Sequence, residues 1–146
     1  MVKINSDDYH DYVIKNGKLI GEFDKMYLKS KNIPWHQDKQ ENWLDVRLTI
    51  ELIKEYGPFD LISDFGSGYG YFLSLIAQYC GTENPVLNAY DVSKTACKKG
   101  SLLFPNITFQ QFNLMAEHPD YEREEKRREE KRREEKRKRK VIIYLC

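Results

Sequence analysis

The spacing of apolar residues predicts helices in the first part of the chain. In the clearest helical segment, apolar residues stand three or four positions apart, and Gly57 and Pro58 end the pattern. This apolar seam consists of Trp43, Val46, Ile50 and Ile53. We therefore predict a helix over residues 41–56, and the same spacing predicts a shorter helix near residues 20–29. The rest of residues 1–40 is predicted to be irregular, with a loop at residues 33–36.

From residue 59 onward, short apolar runs bounded by glycine or proline alternate with longer helical runs. The predicted strands are residues 59–65, 85–91 and 106–112, and the predicted helices between them are residues 71–80 and 94–103. Ser93 is the expected N-cap of the last helix. Strands that alternate with helices form βαβ units with right-handed crossovers. The predicted fold class is therefore α/β, with a mostly parallel sheet and flanking helices.

A highly charged run changes this pattern near the end of the chain. Residues 121–140 contain twelve bases and seven glutamates, which leaves 12 bases and 16 acids elsewhere. The net charge of +1 is thus the sum of a basic run and an acidic body. Glu-first pairs four residues apart favour a single helix, and charges on all its faces leave no apolar stripe to bury. We predict a domain at residues 1–120, a charged helix at 121–140 and a strand-like run at 141–146.

The composition narrows the class of protein. No run of 18 apolar residues exists, so no membrane span is predicted. No aromatic residue separates the bases of the charged run, which favours a solvated spacer over a nucleic-acid-binding arm. The cysteines form no C-x-x-C pair and the three histidines are scattered, so we expect reduced thiols, a cytoplasmic protein and no metal site.

A glycine-rich turn between the first predicted strand and the next helix is the strongest candidate for chemistry. It reads Asp64-Phe65-Gly66-Ser67-Gly68-Tyr69-Gly70. Asp91 ends the following strand, 21 residues after Gly70. In doubly wound sheets a nucleotide-like ligand lies at such a turn, and the second acid accepts hydrogen bonds from its ribose. A dinucleotide motif would place its third glycine at position 71, which is a tyrosine, so a nicotinamide-binding domain is the less favoured alternative.

The acid-x-G-x-G-x-G pattern resembles the first motif of the class I S-adenosylmethionine-dependent methyltransferases, which have a Rossmann-like fold. The resemblance covers residues 20–117 and implies that S-adenosylmethionine is the cofactor. Asp64 would hold its methionine end, because a carboxylate attracts a sulfonium and an ammonium group. The implied cofactor-binding residues are Asp64, Phe65, Gly66, Ser67, Gly68, Gly70, Asp91, Val92, Asn113 and Leu114. Asn113 stands where family members often carry an acid near the adenine.

The N-terminal residues are similar to the aromatic leader of bacterial small-molecule methyltransferases of the nodulation type. The resemblance implies a small-molecule methyl acceptor, with Trp35 and His36 in contact with it. Packing under the sheet is an equal alternative for Trp35, and an exposed loop position is the favoured alternative for His36, whose imidazole would otherwise serve as a base. No catalytic residue is assigned.

The number of predicted strands is smaller than in complete members of the family. Three strands precede the charged run, and residues 141–146 would add a fourth. We therefore expect a truncated Rossmann-like sheet, with self-association through an open edge. The expected activity is methyl transfer to a small molecule, and the alternative is a non-catalytic S-adenosylmethionine-binding remnant or interaction module.

Overall fold

The protein has an α/β fold built around a parallel sheet. The computed structural model describes residues 9–80 and 84–114, together with the backbone of residues 140–144. The helices are α1 (Phe23–Lys29), α2 (Leu44–Tyr56), α3 (Tyr71–Tyr79) and α4 (Lys94–Leu103). The strands are β1 (Ile14–Lys15), β2 (Lys18–Leu19), β3 (Leu61–Phe65), β4 (Val86–Asp91), β5 (Thr108–Gln111) and β6 (Lys140–Tyr144). The predicted alternation of strands and helices after residue 59 is confirmed, with bounds that move by one or two residues.

The four strands of the main sheet are all parallel and lie in the order β5-β4-β3-β6. The chain therefore adds β4 and β5 on one side of β3, and β6 on the other. Residues 141–144 of the strand-like run predicted at 141–146 belong to β6, whose register pairs Ile62 with Val141, and the last two residues of the run lie outside the described residues. Lys140 begins this strand rather than ending a helix. The rest of the predicted charged helix lies outside the described residues.

The main core lies between the sheet and helices α2 and α3. It consists of Val46, Ile50, Ile53, Ile62, Phe72, Leu73, Ile76, Leu87, Ala89 and Ile107. Three of the four residues of the predicted α2 seam belong to this core. The prediction for Trp43 is wrong, because this side chain is 38% exposed and the residue is the N-cap before α2 rather than part of it. The helix therefore begins at Leu44 instead of residue 41.

The segment before α2 differs most from the prediction. Residues Pro34–Asn42 form 3₁₀-helical turns in place of the predicted loop, and proline fits the first position of such turns. Trp35 and His36 interrupt these turns with left-handed backbone angles, at φ 59° and 48°. Strands β1 and β2 form a small antiparallel hairpin in the region that was predicted to be irregular.

Helix α4 begins as predicted from its capping residue. The Ser93 hydroxyl accepts a hydrogen bond from the Ala96 backbone N–H at 3.0 Å. Asp24 of α1 binds the same helix end, since its carboxylate accepts hydrogen bonds from the Ser93 hydroxyl and the Thr95 N–H. This contact fixes α1 beside the start of α4, near the carboxyl end of β4.

No helix in the described part of the chain is long and apolar enough to cross a lipid bilayer.

Candidate functional site

The glycine turn lies at the carboxyl end of β3 and leads directly into α3. The residues Gly66, Gly68 and Gly70 all have positive φ, at 84°, 55° and 84°. Residues that carry a side chain rarely adopt this backbone conformation. The alternating glycines therefore allow the chain to reverse between strand and helix. Because β6 lies on the other side of β3 from β4, the turn stands where the order of strands reverses, which is where open α/β sheets bind ligands.

Every backbone N–H of residues 66–70 has a partner within the protein. The N–H groups of Gly66 and Ser67 donate to the Tyr90 carbonyl, at 2.8 and 3.0 Å. The Gly70 N–H donates to the Ser67 carbonyl at 2.9 Å. Side chains accept from the other two, as described below. A phosphate-binding loop instead directs such groups at its ligand, so this turn does not present the donors that a pyrophosphate requires.

Gln37 closes one side of the turn. Its amide oxygen accepts a hydrogen bond from the Tyr69 N–H at 2.9 Å, and its amide nitrogen donates to the Tyr27 hydroxyl at 3.2 Å. A Cβ on Gly68 would lie only 2.1 Å from that nitrogen. The glycine at position 68 therefore makes room for a protein side chain, and this contact joins the 34–42 segment to the turn.

Phe109 of β5 occupies the corresponding space on the other side. A Cβ at Gly70 would lie 2.6 Å from the Phe109 ring, and a Cβ at Gly100 of α4 would lie 2.4 Å from it. Two of the three motif glycines thus serve internal packing.

Asp64 is the most unusual residue of the site. Its side chain is fully buried, at 0% exposure, and neither carboxylate oxygen has a hydrogen-bond partner in the structure. Burial, with a smaller contribution from the charge of Asp91, raises the pKa of this carboxyl to about 7. An unpaired buried carboxylate is strongly unfavourable, so the position favours a nearby positive charge, and no basic side chain of the described residues contributes to its pKa.

Asp91 is buried at the carboxyl end of β4 and forms two hydrogen bonds. One carboxylate oxygen accepts from the Gly68 N–H and the other from the Ser93 N–H, both at 2.8 Å. Burial raises the pKa of Asp91 although both hydrogen bonds oppose this effect. Each oxygen keeps a lone pair, so the carboxylate can still accept hydrogen bonds from the hydroxyl groups of a ligand.

A cavity of about 500 Å³ opens between the glycine turn and the 34–42 segment. Its volume lies in the range of roughly 300–1,000 Å³ that is usual for small-molecule sites. The lining residues are Tyr9, Trp35, His36, Gln37, Gln40, Trp43, Asp45, Val46, Gly66, Ser67 and Phe72. The Ser67 hydroxyl is buried and has no hydrogen-bond partner in the structure. The cavity therefore has an aromatic wall on one side and an unsatisfied polar group on the other.

Four residues that the sequence singled out meet at this cavity: Trp35, His36, Gly66 and Ser67. The ring of Phe65 stacks on Tyr90, with centroids 4.6 Å apart, and contacts Phe112 edge-on. The remaining predicted residues, Val92, Asn113 and Leu114, are exposed just beyond β4 and β5 and do not line the cavity. They would contact only a ligand that extends from the turn across the ends of these strands.

The sequence interpretation missed several residues of the site. Gln37, Tyr9 and Asp45 carry no local pattern that marks them, because tertiary contacts alone bring them to the turn and the cavity. Trp43 was assigned to the core on its helical spacing, and the structure places it in the cavity wall instead. Among the described residues, no group of histidine, cysteine or acidic side chains is arranged to hold a metal ion.

Comparisons with protein-family models, with curated proteins and with solved structures find no match to this chain.

Proposed function

We propose that this protein is a class I S-adenosylmethionine-dependent methyltransferase that acts on a small molecule. The observation that carries the proposal is the Asp64 carboxylate, fully buried without a hydrogen-bond partner two residues before a glycine turn that borders a cavity. The sulfonium and ammonium groups of S-adenosylmethionine are positive. A cation near Asp64 would stabilise its charged form, and in a poorly solvated site this attraction does not require direct contact.

The order of the strands supports a Rossmann-like sheet. In that fold the chain begins in the middle of the sheet, moves outward over two strands and then returns to the other side of the first, giving the order 3-2-1-4. The order β5-β4-β3-β6 has the same succession. A single charged helix over the part of residues 121–140 that precedes β6 and a cytoplasmic location remain part of the proposal.

The bonding of the turn favours S-adenosylmethionine over a dinucleotide. The N–H groups of residues 66–70 are all used within the protein, so a pyrophosphate would find no donors there and would be repelled by Asp64. The adenosine part of S-adenosylmethionine is neutral and its methionine end carries positive groups. This cofactor therefore does not require free N–H donors at the turn, and Asp64 attracts its positive groups.

Several residues at and near the turn have a proposed role toward this cofactor. Asp64 attracts the charged methionine end, while Gly66 and Ser67 form the wall of its pocket. Asp91, with Val92, accepts hydrogen bonds from the ribose hydroxyls, and Asn113 with Leu114 contacts the adenine. The bound cofactor supplies an activated methyl group, and the protein positions the acceptor and excludes water.

A non-catalytic S-adenosylmethionine-binding module is the second candidate. It is favoured by the exposure of His36 and Asp45, since a general base is usually held in a more enclosed position. It predicts binding of the cofactor without methyl transfer to any acceptor.

Isothermal titration calorimetry tests the proposal with S-adenosylmethionine, S-adenosylhomocysteine and NAD as ligands. We expect the wild-type chain to bind the first two and not NAD. Asp64→Asn should weaken binding of S-adenosylmethionine by about 30-fold or more, because removing one partner of a buried charge pair typically costs at least about 2 kcal/mol. Asp60→Asn is the matched control, since Asp60 is exposed at the opposite end of β3. Equal binding by Asp64→Asn, or no binding by folded protein, would contradict the proposal.

A further inference from the structure

We infer that the aromatic side of the cavity is the methyl-acceptor subsite, and that it takes a small planar aromatic alcohol without an anionic group. This inference rests on the proposed function for the transfer step, although the binding of the aromatic ring does not depend on it. The subsite consists of Tyr9, Trp35, His36, Trp43 and Asp45.

The preference for a planar molecule follows from the wall that faces the glycine turn. Tyr9 packs edge-on against Trp35, with ring centroids 4.9 Å apart, and the stacked ring of His10 also contacts Trp35 edge-on. These contacts hold Trp35 in place, and Trp43 lines the same cavity. Rings fixed in this way offer flat apolar surface at little cost in side-chain entropy, and a stacked or edge-on partner gains about 0.5–1.5 kcal/mol beyond its buried area.

The preference against anions follows from the charges around the cavity. None of the described residues that line it is a lysine or an arginine, and Asp45 contributes a carboxylate. Asp64 lies buried behind the turn. A carboxylate or phosphate on the acceptor would therefore lie near the Asp45 carboxylate, without a lysine or arginine among the described lining residues, which is unfavourable.

The preference for a hydroxyl follows from His36. The left-handed backbone at Trp35 and His36 is rare for residues of this size and is energetically unfavourable at each of them. This backbone brings both residues to the same cavity, where His36 is the one imidazole among the described lining residues. In the proposed step the acceptor oxygen forms its bond to the methyl carbon as the carbon–sulfur bond breaks. The hydroxyl proton passes to the imidazole and then to solvent, so the products are a methyl ether, S-adenosylhomocysteine and a proton.

Tryptophan fluorescence tests the subsite directly, because the chain contains two tryptophans and both line this cavity. The probes are phenol, benzoate and cyclohexanol, titrated into the protein without cofactor. We expect phenol to change the emission at concentrations about two- to tenfold lower than cyclohexanol, which cannot stack on the rings. Benzoate should also need higher concentrations than phenol, because the Asp45 carboxylate repels its charge. Trp35→Leu, with Trp43 as the remaining reporter, should weaken phenol binding by a similar factor. Tyr56→Leu, an exposed change on α2 outside the cavity, should not. Benzoate or cyclohexanol binding as well as phenol would overturn the inference.

Two further results separate this inference from the proposed function. If phenol binds as expected and calorimetry detects no S-adenosylmethionine binding, the aromatic subsite stands and the methyltransferase proposal fails. If S-adenosylmethionine binds and phenol does not, the acceptor class is overturned while the cofactor site stands. With both bound, His36→Gln should keep phenol binding and lower anisole formation by about 100-fold or more. An unchanged rate would remove His36 from the step.

Discussion

Replacing Asp64 by asparagine should stabilise the folded protein at neutral and alkaline pH. The pKa of the buried carboxyl is raised from 3.8 to about 7 in the folded state. Between these values the unfolded chain has released its proton while the folded chain still holds it, so stability is greatest below about pH 4 and falls as the pH rises to about 7. Above pH 7 this rise in pKa lowers the free energy of unfolding by roughly 4 kcal/mol, since each tenfold change in an equilibrium constant is about 1.4 kcal/mol.

The asparagine variant isolates this effect because it keeps the size of the side chain and removes the charge. The carboxyl oxygens of Asp64 have no hydrogen-bond partner among the described residues. A neutral carboxyl and an amide of the same shape should therefore cost about the same to bury there. We therefore expect Asp64→Asn and wild type to have similar free energies of unfolding near pH 4. Near pH 8 the variant should be more stable by about 4 kcal/mol. Asp91 remains in both proteins, so it enters the difference only through its repulsion of the Asp64 charge.

Urea unfolding at pH 4, 6 and 8, followed by circular dichroism, gives the free energies for this comparison. Asp60→Asn serves as the control for the substitution itself, because Asp60 is exposed, and its free energy of unfolding should stay near that of wild type. A stability difference for Asp64→Asn that does not change with pH would refute the reasoning. Such a result would mean that the carboxylate is compensated in the folded state.

Three other substitutions test the packing of the turn, each by its urea midpoint. Gly70→Ala should destabilise by about 2 kcal/mol or more, because φ is +84° and Phe109 leaves no room for a methyl group; an unchanged midpoint would show that the ring moves away. Gln37→Ala should lower the free energy of unfolding by about 1–3 kcal/mol, because the buried Tyr69 N–H loses its acceptor. An unchanged midpoint would mean that a water molecule accepts this hydrogen bond instead. Ser93→Ala should lower the free energy of unfolding by about 1 kcal/mol, because α4 loses its N-cap; an unchanged midpoint would contradict this value.

The parts of the fold that local signals determine could be predicted from the sequence. Strands β3 and β4 are short apolar runs with breakers at their ends, and the alternation of strands with helices is enough to indicate a parallel sheet. The glycine turn was also predictable, because acid and glycines must occupy fixed positions between a strand and a helix. Ser93 also marked the start of α4, because a capping serine stands directly before the first residue of a helix.

Helix α2 shows where spacing alone is not enough. Its sequence carries two apolar stripes, and the second one, formed by Leu44, Leu48 and Leu52, is largely exposed. Periodicity locates such a helix but does not decide which stripe is buried or where its first turn begins. The start of α2 was placed too early because the preceding residues form 3₁₀ turns, and Trp43 was misassigned for that reason.

Two other features escaped prediction for different physical reasons. The hairpin of β1 and β2 has strands of two residues each, too short to show alternation, although its Asn16-Gly17 turn is a known hairpin signal. The contact of Gln37 with Tyr69 joins residues 32 positions apart in the chain. No local pattern identifies such a contact, because it exists only once the 34–42 segment has packed against the turn.

The most direct test of the central claim is to map S-adenosylmethionine binding by ¹H–¹⁵N NMR. We expect the backbone amide signals of Asp64, Gly66, Ser67 and Asp91 to shift as the ligand is added. The amide signal of Gly17 in the hairpin should stay unchanged. Shifts confined to residues away from the glycine turn, or no shifts at all from the folded protein, would contradict the assignment of this site to S-adenosylmethionine.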